Sequence, residues 1–118
     1  MIDWRIHLGT SVYREDGWAF PSFEIQEFLL PQINVGFAYI DEYNATDFGH
    51  EDCIRLKGNI RYLLDSGLVR RRTEIKYDAF EKGLVTLDSK KIERCLISLL
   101  AATEQCITNQ GTLRFYGD

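Results

Sequence analysis

Ile2, Trp4, Ile6 and Leu8 alternate with Asp3, Arg5 and His7. This is the period of two expected when one face of a strand is buried and the other meets water. Gly9 ends the run. Thr10 and the residues after it lead into Asp16-Gly17, a pair suited to the positive φ values of a two-residue type I′ turn, so a hairpin returning through Trp18 and Phe20 is expected. Over residues 23–30 two patterns compete. Ser22 can cap a helix stopped by Pro31, yet the apolar positions do not share one helical arc, which favours a strand. Alternation resumes at Ile33, with Val35, Phe37 and Tyr39 on one face and Gly36 and Ala38 on the other, and predicts a central strand reaching Ile40.

Polar residues 41–46 break that alternation. Thr46 or Asp47 then offers an N-cap for a helix reaching Ser66, with Gly67 just beyond its end. Cys53, Leu56, Ile60, Leu63 and Leu64 would lie on its buried arc. Further on, Thr73, Ile75 and Tyr77 alternate with charged residues, Glu81-Lys82-Gly83 reads as a turn, and residues 84–87 return as a second strand. A second helix, capped by Asp88 or Ser89, runs to about Asn109, with Ile92, Cys95, Leu96, Leu99, Leu100, Ala102, Cys106 and Ile107 inside an arc of about 160°. Leu113 and Phe115 mark a last short strand. This order predicts an α+β fold in a single domain over residues 1–118: a largely antiparallel sheet of about six or seven strands with two amphipathic helices packed on one face.

Charge changes the picture most. Between Glu15 and Ile54 there are nine carboxylates and no Lys or Arg. Residues 1–65 carry 11 acids and 5 bases, and residues 66–118 carry 7 acids and 9 bases, so the halves are net −6 and +2 within a chain of net charge −4. That balance disfavours non-specific binding to phosphate backbones, and Arg70-Arg71-Arg72 reads as a solvated or intramolecularly matched run, so no nucleic-acid partner is expected. Three isolated cysteines without a CxxC pair form no disulfide framework and no zinc pattern, which points to a reducing, cytoplasmic setting. Cys95 and Cys106, eleven positions apart on one helix, stand about 16 Å apart and cannot bridge. All three are expected as core thiols. Asp3 and Arg5 interrupt the first residues, and nowhere do 18 apolar residues run together, so neither a signal peptide nor a membrane partner is expected.

Candidate chemistry is sparse. The run Asp47-Phe48-Gly49-His50-Glu51-Asp52-Cys53 gathers oxygen, imidazole and thiol donors, but it matches neither HExxH nor an EF-hand loop, so no metal or other cofactor is expected. His7 and His50, the only histidines, have no evident partner, and no residue is put forward as catalytic. The dipole of the first helix accounts for Asp47, Glu51 and Asp52 at its start, and its turn accounts for Asp16. Glu15, Glu24, Glu27, Asp41 and Glu42 remain without a local cation. The expected function is therefore a small interaction module, of the inhibitor or immunity kind by analogy of size and charge. Its acidic face, formed by Asp41, Glu42, Tyr43, Asp47 and Glu51, would engage a basic protein partner. Two alternatives stand beside it. One is a homo-oligomer, such as a homodimer, through Ile54 and Ile97, which fall outside the buried arcs. The other is a small enzyme or ligand-binding domain with its site between Asp41 and Glu51.

Overall fold

In the computed structural model, which describes residues 1–9, 11–12, 18–34, 39–67 and 69–117 and the side chains of all of these but 11 and 12, the elements follow in chain order. They are β1 (Asp3–Leu8), β2 (Ser11–Val12), β3 (Trp18–Ala19), α1 (Phe23–Ile33), β4 (Ala45–Phe48), α2 (His50–Asp65), β5 (Glu74–Ala79), β6 (Gly83–Asp88), α3 (Ser89–Asn109) and β7 (Thr112–Tyr116). Strand β1 pairs along one edge with β7, Asp3 opposite Tyr116 and His7 opposite Thr112. Along its other edge two short strands share one position: β2 lies opposite His7 and Leu8, and β3 opposite Asp3 and Trp4. Strand β4 closes the far side against β7. Every pairing is antiparallel.

The alternation of β1 and β7 sends Ile2, Trp4, Ile6, Leu113 and Phe115 to one face, where each is at most 1% exposed. Phe48 of β4 joins them, its ring 5.0 Å from Phe115, while Trp4 meets Phe20 edge-on at 5.2 Å. Helices α2 and α3 pack on each other and cover that face, presenting the arcs that their spacing foretold: Cys53, Leu56, Ile60, Leu63 and Leu64 from α2, and Ile92, Cys95, Leu96, Leu99, Ala102 and Cys106 from α3. Each large side chain so buried stabilises the fold by roughly 1.5–3 kcal/mol.

The architecture is α+β, but it is not one sheet of six or seven strands. Strands β5 and β6 form a separate two-stranded sheet. Their buried row, Ile75, Ala79 and Leu87, packs towards α1 and α3 rather than lying beside a strand of the larger sheet. Among the described residues there are also three helices rather than two, because residues 23–33 are helical and not a strand. Ser22 caps this helix, its Oγ accepting the Ile25 N–H at 3.2 Å. Ile25, Leu29, Leu30 and Ile33 do share an arc, with Gln26 in the middle of it. Gln26 is buried because its Oε1 accepts the Ile2 N–H at 2.7 Å, so a polar residue occupies an apolar position at no unmet hydrogen-bond cost. Pro31 does not stop the helix. It removes one donor and crowds the carbonyl one turn back, yet the helix continues for two more residues, to where the Asn34 N–H reaches Leu30 O at 2.9 Å.

Two further expectations change. Thr46 and Asp47 do not cap α2 but lie in β4, and Gly49 is the N-cap, its N–H reaching the Asp52 carboxylate at 3.4 Å. The strand expected over residues 33–40 does not form at its described ends, since Ile33 closes α1 and Tyr39 and Ile40 are irregular. Its middle lies outside the described residues, as does the Asp16-Gly17 turn. Among the described residues, no helix is long and apolar enough to cross a membrane.

Candidate functional site

Of the five residues expected to form one acidic face, Asp41, Glu42 and Tyr43 share one turn, which the Asp41 N–H ties to Thr46 Oγ1 of β4 at 3.3 Å, next to Asp47. Asp41 serves its own turn: its carboxylate accepts the Tyr43 N–H at 2.8 Å and the Asn44 side-chain N–H at 3.0 Å, and these bonds, Asn44 first, hold its carboxyl below the usual range. Tyr43 projects from the same turn, 75% exposed. Asp47 lies on the outer face of the sheet, paired in two bonds with Arg114 across β4 and β7 at 2.5 and 3.0 Å. It complements a guanidinium and not a helix dipole. Arg114 holds the Asp47 carboxyl below its usual value, and its own guanidinium is held above the ordinary range in return. Glu51 is exposed in the first turn of α2. Glu42 lines a cavity.

That cavity is a cleft of about 480 Å³ between three elements: the start of α1, the turn carrying Glu42, and the β5–β6 tip at residues 79–82. The helical spacing of three puts Glu24 and Glu27 on one side of α1, and both line it. Lys82 crosses from the hairpin tip to Glu24 at 2.5 Å, holding the Glu24 carboxyl below its usual range, while Glu27 accepts the Phe80 N–H at 2.9 Å. These two contacts clamp the tip onto α1. Four carboxylates, Glu24, Glu27, Glu42 and Glu81, face one ammonium, leaving three negative charges around the cleft. Glu42 and Glu81 have no ion pair among the described residues. The rings of Phe23 and Phe80 stand at the mouth, 62% and 89% exposed. A second hollow of about 260 Å³ shares Glu27 and Glu42 and continues past Tyr39 and Tyr77, where Tyr77 rests edge-on against Phe28 of α1 at 5.5 Å. Burial, with Glu27 and Asp78 nearby, raises the Tyr77 hydroxyl.

Glycine at position 117 sets where Glu42 sits. A Cβ there would lie 2.6 Å from the backbone of Asp41 and Glu42, closer than real atoms approach, and the Gly117 N–H bonds Asn44 O at 3.1 Å. The turn is thus seated on the end of the chain's last strand.

Some charges elsewhere have partners. On the sheet's outer face the His7 ring bonds the Tyr116 hydroxyl at 2.7 Å, Arg5 lies over the Tyr116 ring, and Arg5 reaches Asp3 at 3.5 Å. His7 therefore has a partner, and desolvation followed by the nearby Arg114 lowers its pKa. Arg70 lies between Asp65 at 4.0 Å and Glu93 at 3.8 Å, in line with an intramolecular match for the arginine run. Among the described residues no group of three or more His, Cys, Asp or Glu could hold a metal ion.

Compared with protein-family models, curated proteins and solved structures, the chain matches none.

The cleft suits a cation. Glu24 is held ionised, which favours attraction of positive charge over proton donation, and exposed rings beside carboxylates bind guanidinium and ammonium groups by cation–π contact as well as by charge. Reading residues by local pattern picks out Glu42, counts Glu24 and Glu27 among the acids without a local cation but does not place them with it, and does not single out Phe23, Phe80 or Glu81. The one signal for the first pair is their spacing of three, which carries meaning only on a helix.

Proposed function

We propose that this chain is a small binding module whose acidic, phenylalanine-rimmed cleft takes up an arginine- or lysine-bearing segment of a basic protein. The observation that carries this reading is a pair of carboxylates, Glu42 and Glu81, with no ion pair among the described residues, in a cleft flanked by two exposed aromatic rings. An exposed ring costs hydration and an unmatched carboxylate costs repulsion. Both costs are relieved by one cationic side chain seated between them. Such an arrangement steers encounter through charge and anchors through aromatic contact. It also fits an inhibitor-like role in which the module covers a basic functional surface of its partner.

The test uses arginine-rich and sequence-scrambled acidic peptides titrated against the full chain by calorimetry. Binding of the arginine-rich peptide should weaken at least tenfold in a Glu42→Gln/Glu81→Gln variant and again in Phe80→Ala, and it should fall steeply with salt. Equal affinity for both peptides, or no loss in these variants, overturns the reading.

A further inference from the structure

Helix α1 carries a second stripe beside its buried one. Phe23, Glu27, Leu30, Pro31 and Asn34 fall within about 100° of arc, and all of them line a hollow: Phe23 and Glu27 the cleft at the hairpin tip, and Glu27 onward the smaller hollow past Tyr39. Glu27 and Glu42 wall both, so the two hollows are successive parts of one groove that meet between a carboxylate of α1 and a carboxylate of the facing turn. From Phe23 to Asn34 the helix rises about 16 Å, a length that about five residues of extended chain would cover.

The two parts differ in chemistry. The cleft gathers carboxylates between phenylalanine rings, whereas the smaller hollow is lined by Leu30, Pro31 and Ile40 together with the rings of Tyr39 and Tyr77, of which Tyr39 is 66% exposed. Its backbone is already paired. Asn34 Oδ1 accepts the Ile40 N–H at 2.7 Å, and Asn34 Nδ2–H donates to Ile40 O at 3.2 Å. Thr46 of β4 donates its hydroxyl to Tyr39 O at 3.1 Å and accepts the Asp41 N–H at 3.3 Å. These bonds tie residues 39–41 to both α1 and β4, so this wall stands before anything enters and little ordering is left for binding to cost. With those groups satisfied, the hollow presents rings and aliphatic surface, which favour an apolar side chain over a second charge.

We propose that the segment bound by this chain lies extended along α1, with its basic side chain in the cleft between Phe23 and Phe80 and an apolar side chain two positions away in the hollow beside Tyr39. The assignment rests on the cleft being a cation site and adds to it a requirement on the partner's sequence. The spacing follows from the helix: the midpoint of Glu24 and Glu27 and that of Leu30 and Pro31 are five positions apart, about 7.5 Å along the axis, and alternate side chains on one face of an extended chain stand about 7 Å apart.

The probes are glycine-flanked peptides carrying one arginine and one leucine, the leucine either adjacent or two positions away and in either order, measured against the full chain by fluorescence anisotropy. Leucine two positions from arginine, in one order or the other, should strengthen binding about tenfold over glycine at that place, and adjacent leucine should add little. Tyr39→Ala should bring that ratio towards one and Tyr39→Phe should preserve it, with circular dichroism confirming that both variants fold. Arginine-dependent binding with no gain from leucine, or a gain that ignores spacing or survives Tyr39→Ala, overturns the inference and leaves the cleft as a cation site. Absence of arginine-dependent binding overturns both readings together.

Discussion

The two ends of the β5–β6 hairpin lie on the same pair of strands yet treat charge in opposite ways. At its base one member of the arginine run, Arg70, meets acids of its own chain, Asp65 and Glu93, and Ser89, buried at the start of α3, donates its hydroxyl to the backbone carbonyl of Arg72. At its tip the tie to α1 uses Lys82 for Glu24 and the Phe80 N–H for Glu27, and Glu42 and Glu81 are left over between exposed rings. Charge at the base is spent on holding the fold. At the tip Glu42 and Glu81 have no ion pair among the described residues, and the proposed binding of a basic segment rests on that surplus.

This contrast can be broken in several ways, beginning with the largest effect. Gly117→Ala forces a methyl group into the turn carrying Glu42, and overpacking of this kind costs about 1–3 kcal/mol. Denaturant unfolding should register that loss, and peptide affinity should fall with it because Glu42 is displaced. Ser89→Ala at the base removes a buried hydrogen bond and should cost a similar 1–2 kcal/mol or so. Here peptide affinity should remain intact, since the two ends are separate, and a joint loss would show them to be coupled.

Asp47→Asn tests matched charge away from the hairpin. The folded pKa of Asp47 is depressed from its ordinary 3.8, so its pairing with Arg114 contributes fully above that value and is lost as pH falls through the lower folded one. The variant should be less stable by up to about 1 kcal/mol at neutral pH, because both side chains are partly in solvent. It should converge with the unaltered chain in strong acid, as a melting series from pH 7 to pH 2 would show. The smallest effect belongs to Glu81→Gln alone, which should leave the melting temperature unchanged, since no partner is removed.

What could be read from the chain follows the strength of its periodicity. Strand β1 alternates over seven residues, α3 repeats its arc over five turns, and the hairpin has a turn between two alternating runs, so tertiary context had nothing to overturn. Helix α1 was hidden by Gln26, a polar residue inside the buried arc whose partner, the Ile2 N–H, lies 24 positions away. Strand β4 was hidden for a different reason. Thr46 and Asp47 have the chemistry of helix caps, and only pairing with β7 makes them a strand. The site inherits both errors. Glu24 and Glu27 share a surface only if residues 23–33 are helical, and Phe80 and Glu81 reach them from more than fifty positions away through the clamp of the hairpin tip.

The order of the larger sheet sets how the molecule assembles in time. Its central pairing joins Asp3 to Tyr116 and Trp4 to Phe115, partners more than a hundred positions apart, whereas the β5–β6 hairpin and α3 close contacts between near neighbours. Entropy must be surrendered across nearly the whole chain before the first bond between β1 and β7 is gained. Until that happens one edge of β1 lacks its partner, and a nascent chain halted before Thr112 leaves the N–H and C=O groups of that edge open to whatever else is in solution.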